Sequence, residues 1–131
     1  NFYNIIVRIR EYAMTLFEPL DIKFTIEVPE NITTLQVPMD VRRNLFLIAK
    51  EAMNNAAKYS GCTEAIIDFA YSHSVLKMTI TDNGKGFDTS KEYGRNGLRN
   101  MQYRGEKIGG KVTIRSTIGK GTTVTFTSKV G

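Results

Sequence analysis

Glu51 and Asn55 stand four residues apart in Glu51-Ala52-Met53-Asn54-Asn55-Ala56-Ala57-Lys58. On a helix that spacing puts a carboxylate and a carboxamide on one face, with the amine of Lys58 beside them. A second cassette, Asp82-Asn83-Gly84-Lys85-Gly86-Phe87, sets an acid beside two glycines. A third, Gly119-Lys120-Gly121-Thr122-Thr123, is a glycine turn closed by threonines. The amide oxygen of Asn55 is a neutral hard donor of the kind Mg2+ accepts, since that ion takes oxygen ligands and keeps waters while bridging phosphates. Glu51 can orient or deprotonate a water or hydroxyl near such a metal, and Lys58 can meet a phosphate. Asp82 can accept a hydrogen bond from an exocyclic amine such as adenine N6. Gly84 and Gly86 would let backbone pass close to a planar base. Together these are the parts that hold a magnesium nucleotide without a P-loop.

Each cassette alone also has a plain structural explanation. Glu51 can pair with Lys58 or Lys50, and the asparagines can cap a neighbouring loop. Asn54 and Asn55 cost about 0.5–0.7 kcal/mol each mid-helix relative to alanine. An unpaired buried amide costs about 1–3 kcal/mol, so both need partners of some kind. Asp-Asn-Gly is a common turn, and Gly119 to Thr122 reads by default as a hairpin turn. Gly97 precedes a helical pattern expected to start at Leu98. That start is either an ordinary helix opening or a phosphate site made of free backbone N–H groups. The order of the cassettes, more than any one of them, carries the nucleotide reading.

The elements that must position these groups follow from hydrophobic spacing. Phe2, Ile5, Ile6, Ile9, Tyr12, Ala13, Leu16 and Phe17 predict a helix over 2–18, ended by Pro19. Ile22, Phe24, Ile26 and Val28 alternate as a strand, ended by Pro29. Residues 30–38 read as a loop. Pro38 and Asp40 open a long helix over 39–59, with Gly61 as its stop. Strands at 64–71 and 75–82 flank a polar turn at Ser72–Ser74. Residues 83–96 show little hydrophobic periodicity, and a loop that long in a small domain is functional or mobile. A helix then runs to Gly109-Gly110, and two alternating runs around Val112, Ile114, Val124 and Phe126 form a closing hairpin. The order implies a two-layer α/β (α+β) sandwich: a mixed, largely antiparallel sheet with helices on one face.

Composition narrows the classes. A chain of 131 residues is one domain with room for a real core. No apolar run is long enough to span a bilayer, and no signal peptide is visible. The chain opens on Asn1 rather than Met, which reads as a piece of something longer. Cys62 is the only cysteine, so intramolecular disulfides and cysteine zinc sites are excluded. It reads as a packing residue, and the count fits a reducing cytoplasm. The net charge of +5 suits an anionic partner, but lysine and arginine are scattered and equally fit a solvated face. A small basic nucleic-acid binder would need a recognition motif that is absent. His73, the only histidine, sits in the Ser72–Ser74 turn and reads as exposed, not catalytic.

At these residues the chain resembles the catalytic ATP-binding domain of sensor histidine kinases, within the gyrase, Hsp90, histidine kinase and MutL ATPase superfamily. Glu51-x-x-x-Asn55-Ala56 is similar to the N box, Asp82-x-Gly84-x-Gly86 to the G1 box, and Gly97-Leu98 with Met101 to the G2 region. Gly119-x-Gly121-Thr122 is similar to the last glycine box. Asn96 to Met101, with Arg104, Gly109-Gly110 and Ser116, resembles the nitrate-sensor-like branch.

The resemblance implies the left-handed βαβ Bergerat sandwich, with ATP and Mg2+ as ligands. Asn55 would hold the metal, Asp82 the adenine amine, and residues 88–97 would form the ATP lid. Asn54, Lys58, Gly84, Gly86 and Phe87 would join the nucleotide site, as would Arg95, Asn96, Gly97, Leu98 and Thr122. Glu51, Asn55 and Lys58 would serve catalysis. Glu51 sits where the superfamily's hydrolases keep a general base; in the kinases it would orient attack on the γ-phosphate. Arg95 stands where the branch often has glycine, and Tyr59 where it often has histidine.

The implied activity is transfer of the γ-phosphoryl group to a histidine on a separate upstream dimerisation domain, then to a response regulator. Residues 1–18 would be the tail of the linker helix and 19–131 the catalytic domain. The whole protein is expected to be a membrane-associated homodimer, with this part cytoplasmic and monomeric by itself. Two rivals remain: a stand-alone anti-sigma-type serine kinase of the same superfamily, and a degenerate nucleotide-sensing interaction module.

Overall fold

The computed structural model describes residues 2–88 and 95–130. Helix α1 (Phe2–Phe17) buries Phe2, Ile5, Ile6, Ile9, Ala13 and Phe17, the stripe that a 3.6-residue period predicts. A 3-10 turn at Glu18–Leu20 takes up Pro19, and Asp21 follows with φ 56°. Strand β1 (Lys23–Glu27) comes next. Residues 30–38 are not all loop, because Glu30–Thr33 form a one-turn helix, α2, whose Ile32 is fully buried. A single turn contributes one core residue and therefore shows no periodicity in the sequence.

The long helix α3 spans Met39–Tyr59. Asp40 Oδ1 accepts the Val41 N–H at 2.9 Å in its first turn. Strands β2 (Glu64–Ser72) and β3 (Val75–Asp82) follow. Ser72 belongs to the strand, so the turn between them is His73-Ser74 alone, with φ of 53° and 64°. Two successive positive-φ residues match the right-handed twist of a two-residue hairpin. Helix α4 covers Arg95–Lys107, starting before the expected Leu98. Arg95 and Asn96 are polar and add nothing to the apolar pattern, so the sequence hid the first turn; Gly97 lies inside it. Strands β4 (Lys111–Thr117) and β5 (Gly121–Lys129) close the domain.

The five-stranded sheet has the order β1-β2-β3-β5-β4. Only β1 and β2 pair in parallel. A parallel pair needs a crossover, and here α2 and α3 supply it. One sheet face carries Ile67, Phe69, Leu76, Met78, Ile80, Val124 and Phe126, all buried. The helices lie on that face, with Phe2 edge-on to Phe69 at 5.7 Å. The opposite face alternates to polar residues such as Asp68, Lys77, Thr79 and Thr125. The two-layer, mainly antiparallel sandwich is therefore as the sequence implied. No helix among the described residues is long and apolar enough to cross a membrane.

One position breaks the apolar rule. Asp82 ends β3 in register with the buried Ala65 of β2 and with Thr122 of β5, and it is only 8% exposed. Strand alternation thus turns a carboxylate into the helix-facing layer at the strand's end.

Candidate functional site

A cavity of about 510 Å3 opens beside Asp82. That size falls within the range of roughly 300–1,000 Å3 typical of small-molecule sites. Helix α3 lines it with Glu51, Asn55 and Tyr59, a stripe about one helical turn apart at each step, and with Ala52 beside them. The end of β3 contributes Ile80 and Asp82, and β5 contributes Thr122 and Val124. Lys85, Gly86 and Phe87 form a second wall, and the first turns of α4 bring Gly97, Leu98, Arg99 and Met101.

The Asp82 end is tightly built. The Gly84 N–H donates to Asp82 Oδ1 at 2.9 Å. Burial pushes the Asp82 carboxyl above its usual range, opposed by the Gly84 and Thr122 backbone N–H groups that favour the anion. Asn83 anchors the strand end. Its Oδ1 accepts the N–H groups of Thr63 and Glu64 at 2.9 and 3.0 Å, and its Nδ2 donates to Thr63 Oγ1 at 2.9 Å. The Lys85 N–H donates to the Ser60 carbonyl at 2.8 Å, joining this segment to the end of α3. Gly84, expected in the site, is not among the residues that line the cavity; it is buried against Ser60, where a Cβ would collide. Gly86 has φ 65°, and a Cβ there would collide with the Thr117 carbonyl, so only glycine lets the segment pass under the β4–β5 turn. The Phe87 N–H donates to Ser116 Oγ at 2.8 Å, and that hydroxyl also bonds Thr122 Oγ1 at 2.8 Å. Ser116 thus holds both a wall residue and a floor residue.

The other end is open. Among the described residues, neither Glu51 nor Asn55 has a hydrogen-bond or ion-pair partner; the alternative pairing of Glu51 with Lys58 or Lys50 is not formed. Glu51 instead lies against Gly97, where an added Cβ would stand 2.5 Å from Glu51 Oε1. Carboxylate and α4 backbone can approach this closely only because residue 97 has no side chain.

The structure therefore gathers Glu51, Asn55, Asp82, Gly86, Phe87, Gly97, Leu98 and Thr122 around one cavity. It does not bring Lys58 there: that side chain is exposed on the last turn of α3. Asn54 also faces elsewhere, with its Oδ1 accepting the Tyr12 hydroxyl at 3.0 Å. Of the expected lid, residues 89–94 and the side chains of Arg95 and Asn96 lie outside the described residues. Tyr59, Ser60, Lys85 and Arg99 also line the cavity although the sequence reading left them out of the site. Tyr59 was within reach, because it continues the 51–55 stripe by another four residues. Arg99 already fell inside the helix expected from Leu98, but nothing local in the sequence marks which face of that helix meets the cavity.

Residues 40–131 match the family described as histidine kinase-, DNA gyrase B-, and HSP90-like ATPase. The chain belongs to this family. It is 31% identical over 103 residues to the sensor protein VraS of Staphylococcus epidermidis, a match covering 78% of this chain and 30% of that one. It is 28% identical over 117 residues to the sensor histidine kinase LiaS of Bacillus subtilis, covering 88% and 32%. The chain thus spans about a third of the length of these curated relatives. Among solved structures, Acinetobacter baumannii histidine kinase AdeS shares the fold with a TM-score of 0.80 at 14% identity, covering 100% of this chain and 66% of that one. The histidine kinase domain of the Erythrobacter litoralis EL346 blue-light activated kinase gives 0.76 at 17%, covering 96% and 61%.

Proposed function

We propose that this chain is the ATP-binding catalytic domain of a two-component sensor histidine kinase. The observation that carries the proposal is the placement of a buried, backbone-braced Asp82 in the same cavity as Asn55 and Glu51. In this reading Asp82 accepts the adenine amine, and the wall from Lys85 to Phe87, shaped by Gly86, borders the base. Lys85 and Arg99 on the rim offset triphosphate charge. The first-turn N–H groups of α4, from Arg95 to Gly97, lack intrahelical partners and suit a phosphate.

The donor set fits Mg2+. Among the described residues there is no group of three or more acidic, histidine or cysteine side chains that would cage a metal alone. Asn55, a cavity-lining amide, supplies a single neutral oxygen, as suits an ion held mainly by phosphates and water. When bound, Mg2+ would neutralise charge on the phosphates. Glu51 orients the incoming acceptor nitrogen. The γ-phosphoryl passes to an imidazole nitrogen as the bond to the ADP oxygen breaks, so positioning and charge do most of the work.

The acceptor histidine lies on a separate domain, joined through the helix of residues 1–18, and a response regulator receives the phosphoryl group next. The whole protein is a homodimer at a membrane, with this domain on the cytoplasmic side. The Asn96–Met101 motif favours the nitrate-sensor-like branch. Calorimetric titration of MgATP into this chain tests the reading. Binding that weakens in Asp82→Asn and Asn55→Ala supports it; no binding to the parent overturns it.

A further inference from the structure

A second, smaller cavity of about 200 Å3 lies between α3 and α4, lined by Leu47, Lys50, Glu51, Asn54, Asn100, Met101 and Arg104. Glu51 and Met101 line both cavities and mark where they adjoin. The nucleotide reading leaves this cavity unused. It is smaller than the roughly 300 Å3 at which small-molecule sites begin, so a second nucleotide does not fit, while the end of one side chain does.

Its chemistry is specific. Lys50 and Arg104 are cations, and among the described residues neither is ion-paired, with Glu51 or with any other acid. Two cations against the one carboxylate of Glu51 leave one unmatched positive charge. Helix α1 arranges the donors. The Tyr12 ring lies under the Lys50 ammonium at 5.6 Å and is itself packed edge-on against Phe46 at 6.2 Å. The Tyr12 hydroxyl donates to Asn54 Oδ1 at 3.0 Å, which leaves the Asn54 NH2 as the group that can donate to a ligand. One tyrosine thus positions both a cation and an amide donor. Leu47 and Met101 add apolar surface, which suits methylene groups and does nothing for an inorganic anion.

We infer that this second cavity receives a carboxylate side chain of the polypeptide that presents the phosphoryl acceptor. One carboxylate neutralises the surplus charge, its oxygens meet Lys50, Asn54 and Arg104, and its stem packs on Leu47 and Met101. The contact sets the acceptor segment beside Glu51, at the open end of the nucleotide cavity. The purpose assigned to the contact rests on the phosphoryl-transfer reading; the binding site itself does not.

The test is an amide-resolved NMR titration of this chain, with and without saturating MgADP. The probes are N-acetyl-aspartate-N-methylamide, its asparagine counterpart and inorganic phosphate. The aspartate compound is expected to move resonances of Lys50, Asn54, Asn100 and Arg104, with a dissociation constant of about 1 mM; the asparagine compound is not. Lys50→Gln and Arg104→Gln each weaken this binding about ten-fold, as expected for one charge-assisted contact. Tyr12→Phe keeps the ring under Lys50 but releases Asn54, and weakens it about three-fold. MgADP affinity stays at the parent value in Lys50→Gln and Arg104→Gln, which also reports that both variants are folded. Equal shifts from the aspartate and asparagine compounds, tighter binding of phosphate at these residues, or unchanged affinity in folded variants would each overturn the inference. Failure of MgADP to bind removes the nucleotide reading instead, and the aspartate titration still decides the cavity.

Discussion

The two ends of the main cavity are built on opposite principles. At one end Asp82 is buried, braced by backbone N–H groups, and carried on a strand whose neighbours are pinned by Asn83 and Ser116. At the other, Glu51 and Asn55 face the cavity without partners among the described residues. The closed end is complete before any ligand arrives and suits recognition of one rigid shape. The open end keeps its polar groups half-buried and reachable by water, so a ligand can take them up by exchanging contacts with water for contacts with itself. A base-recognition end made ready beforehand, and a phosphate end finished by metal, nucleotide and acceptor, is the division of labour that phosphoryl transfer requires.

That contrast is most easily broken at Gly86. Replacing it with alanine forces a Cβ into the Thr117 carbonyl at positive φ. The expected loss is about 2–4 kcal/mol of stability, read as a fall of about 10 °C in the melting temperature. Gly97→Ala is the control at the open end. There the clash is with the flexible Glu51 carboxylate, so the melting temperature moves by no more than about 3 °C while phosphoryl transfer falls. Equal melting losses at the two glycines would mean the ends are equally rigid.

Asp82→Asn is next in size. ATP affinity is expected to drop about 30-fold, from a charged hydrogen bond worth about 2 kcal/mol. Its stability effect has the opposite sign. The Asp82 pKa is raised in the folded state above an unfolded value of about 3.9. The folded protein therefore binds more protons between those values, and the stability that Asp82 lends is present at low pH and declines as pH rises through the raised pKa. Asparagine has no such term. Melting curves should show Asp82→Asn gaining on the parent as pH rises from about 4 toward neutrality. A constant gap across that range would sink the assignment of the raised pKa.

These contrasts also show what the sequence could disclose. Helix α3, the apolar alternation of the strands and the three cassettes are legible because each repeats a local period or a turn signal. Asp82 stood out as an acid closing an apolar alternation. Asn54 was misleading: by spacing it belongs with Asn55, but a 100° step around the helix turns it toward Tyr12 of α1, forty-two residues earlier. Lys58 shares the Glu51 face on a helical wheel, yet its chain stays in solvent at the last turn. Neither outcome is encoded locally, since both depend on which helix packs against which side of α3. By sequence Gly86 gives a planar base room, and Gly97 marks a helix start whose N–H groups could meet a phosphate. The structure shows that protein atoms, the Thr117 carbonyl and the Glu51 carboxylate, already come close to both.

Asn55→Ala probes the open end with a smaller and conditional effect. If Asn55 meets the nucleotide through Mg2+, its loss weakens MgATP binding about ten-fold, equal to one charge-assisted contact. With EDTA present, parent and variant should bind ATP alike. Equal weakening with and without metal would place Asn55 on the nucleotide directly and not on the ion.

The smallest effect is expected at Ser116, which ties the closed end together without touching the open one. Its hydroxyl accepts the Phe87 N–H and bonds Thr122 Oγ1, so Ser116→Ala removes a hydroxyl that both half-buried partners share. Water can reach this site at the rim, so the stability cost should stay near 1 kcal/mol. Base affinity should fall about three-fold as the Phe87 wall loosens. The metal dependence of binding, a property of Asn55, should not change. A shift in metal dependence in Ser116→Ala would show that the two ends communicate through the cavity wall, and the separation drawn between them would have to be given up.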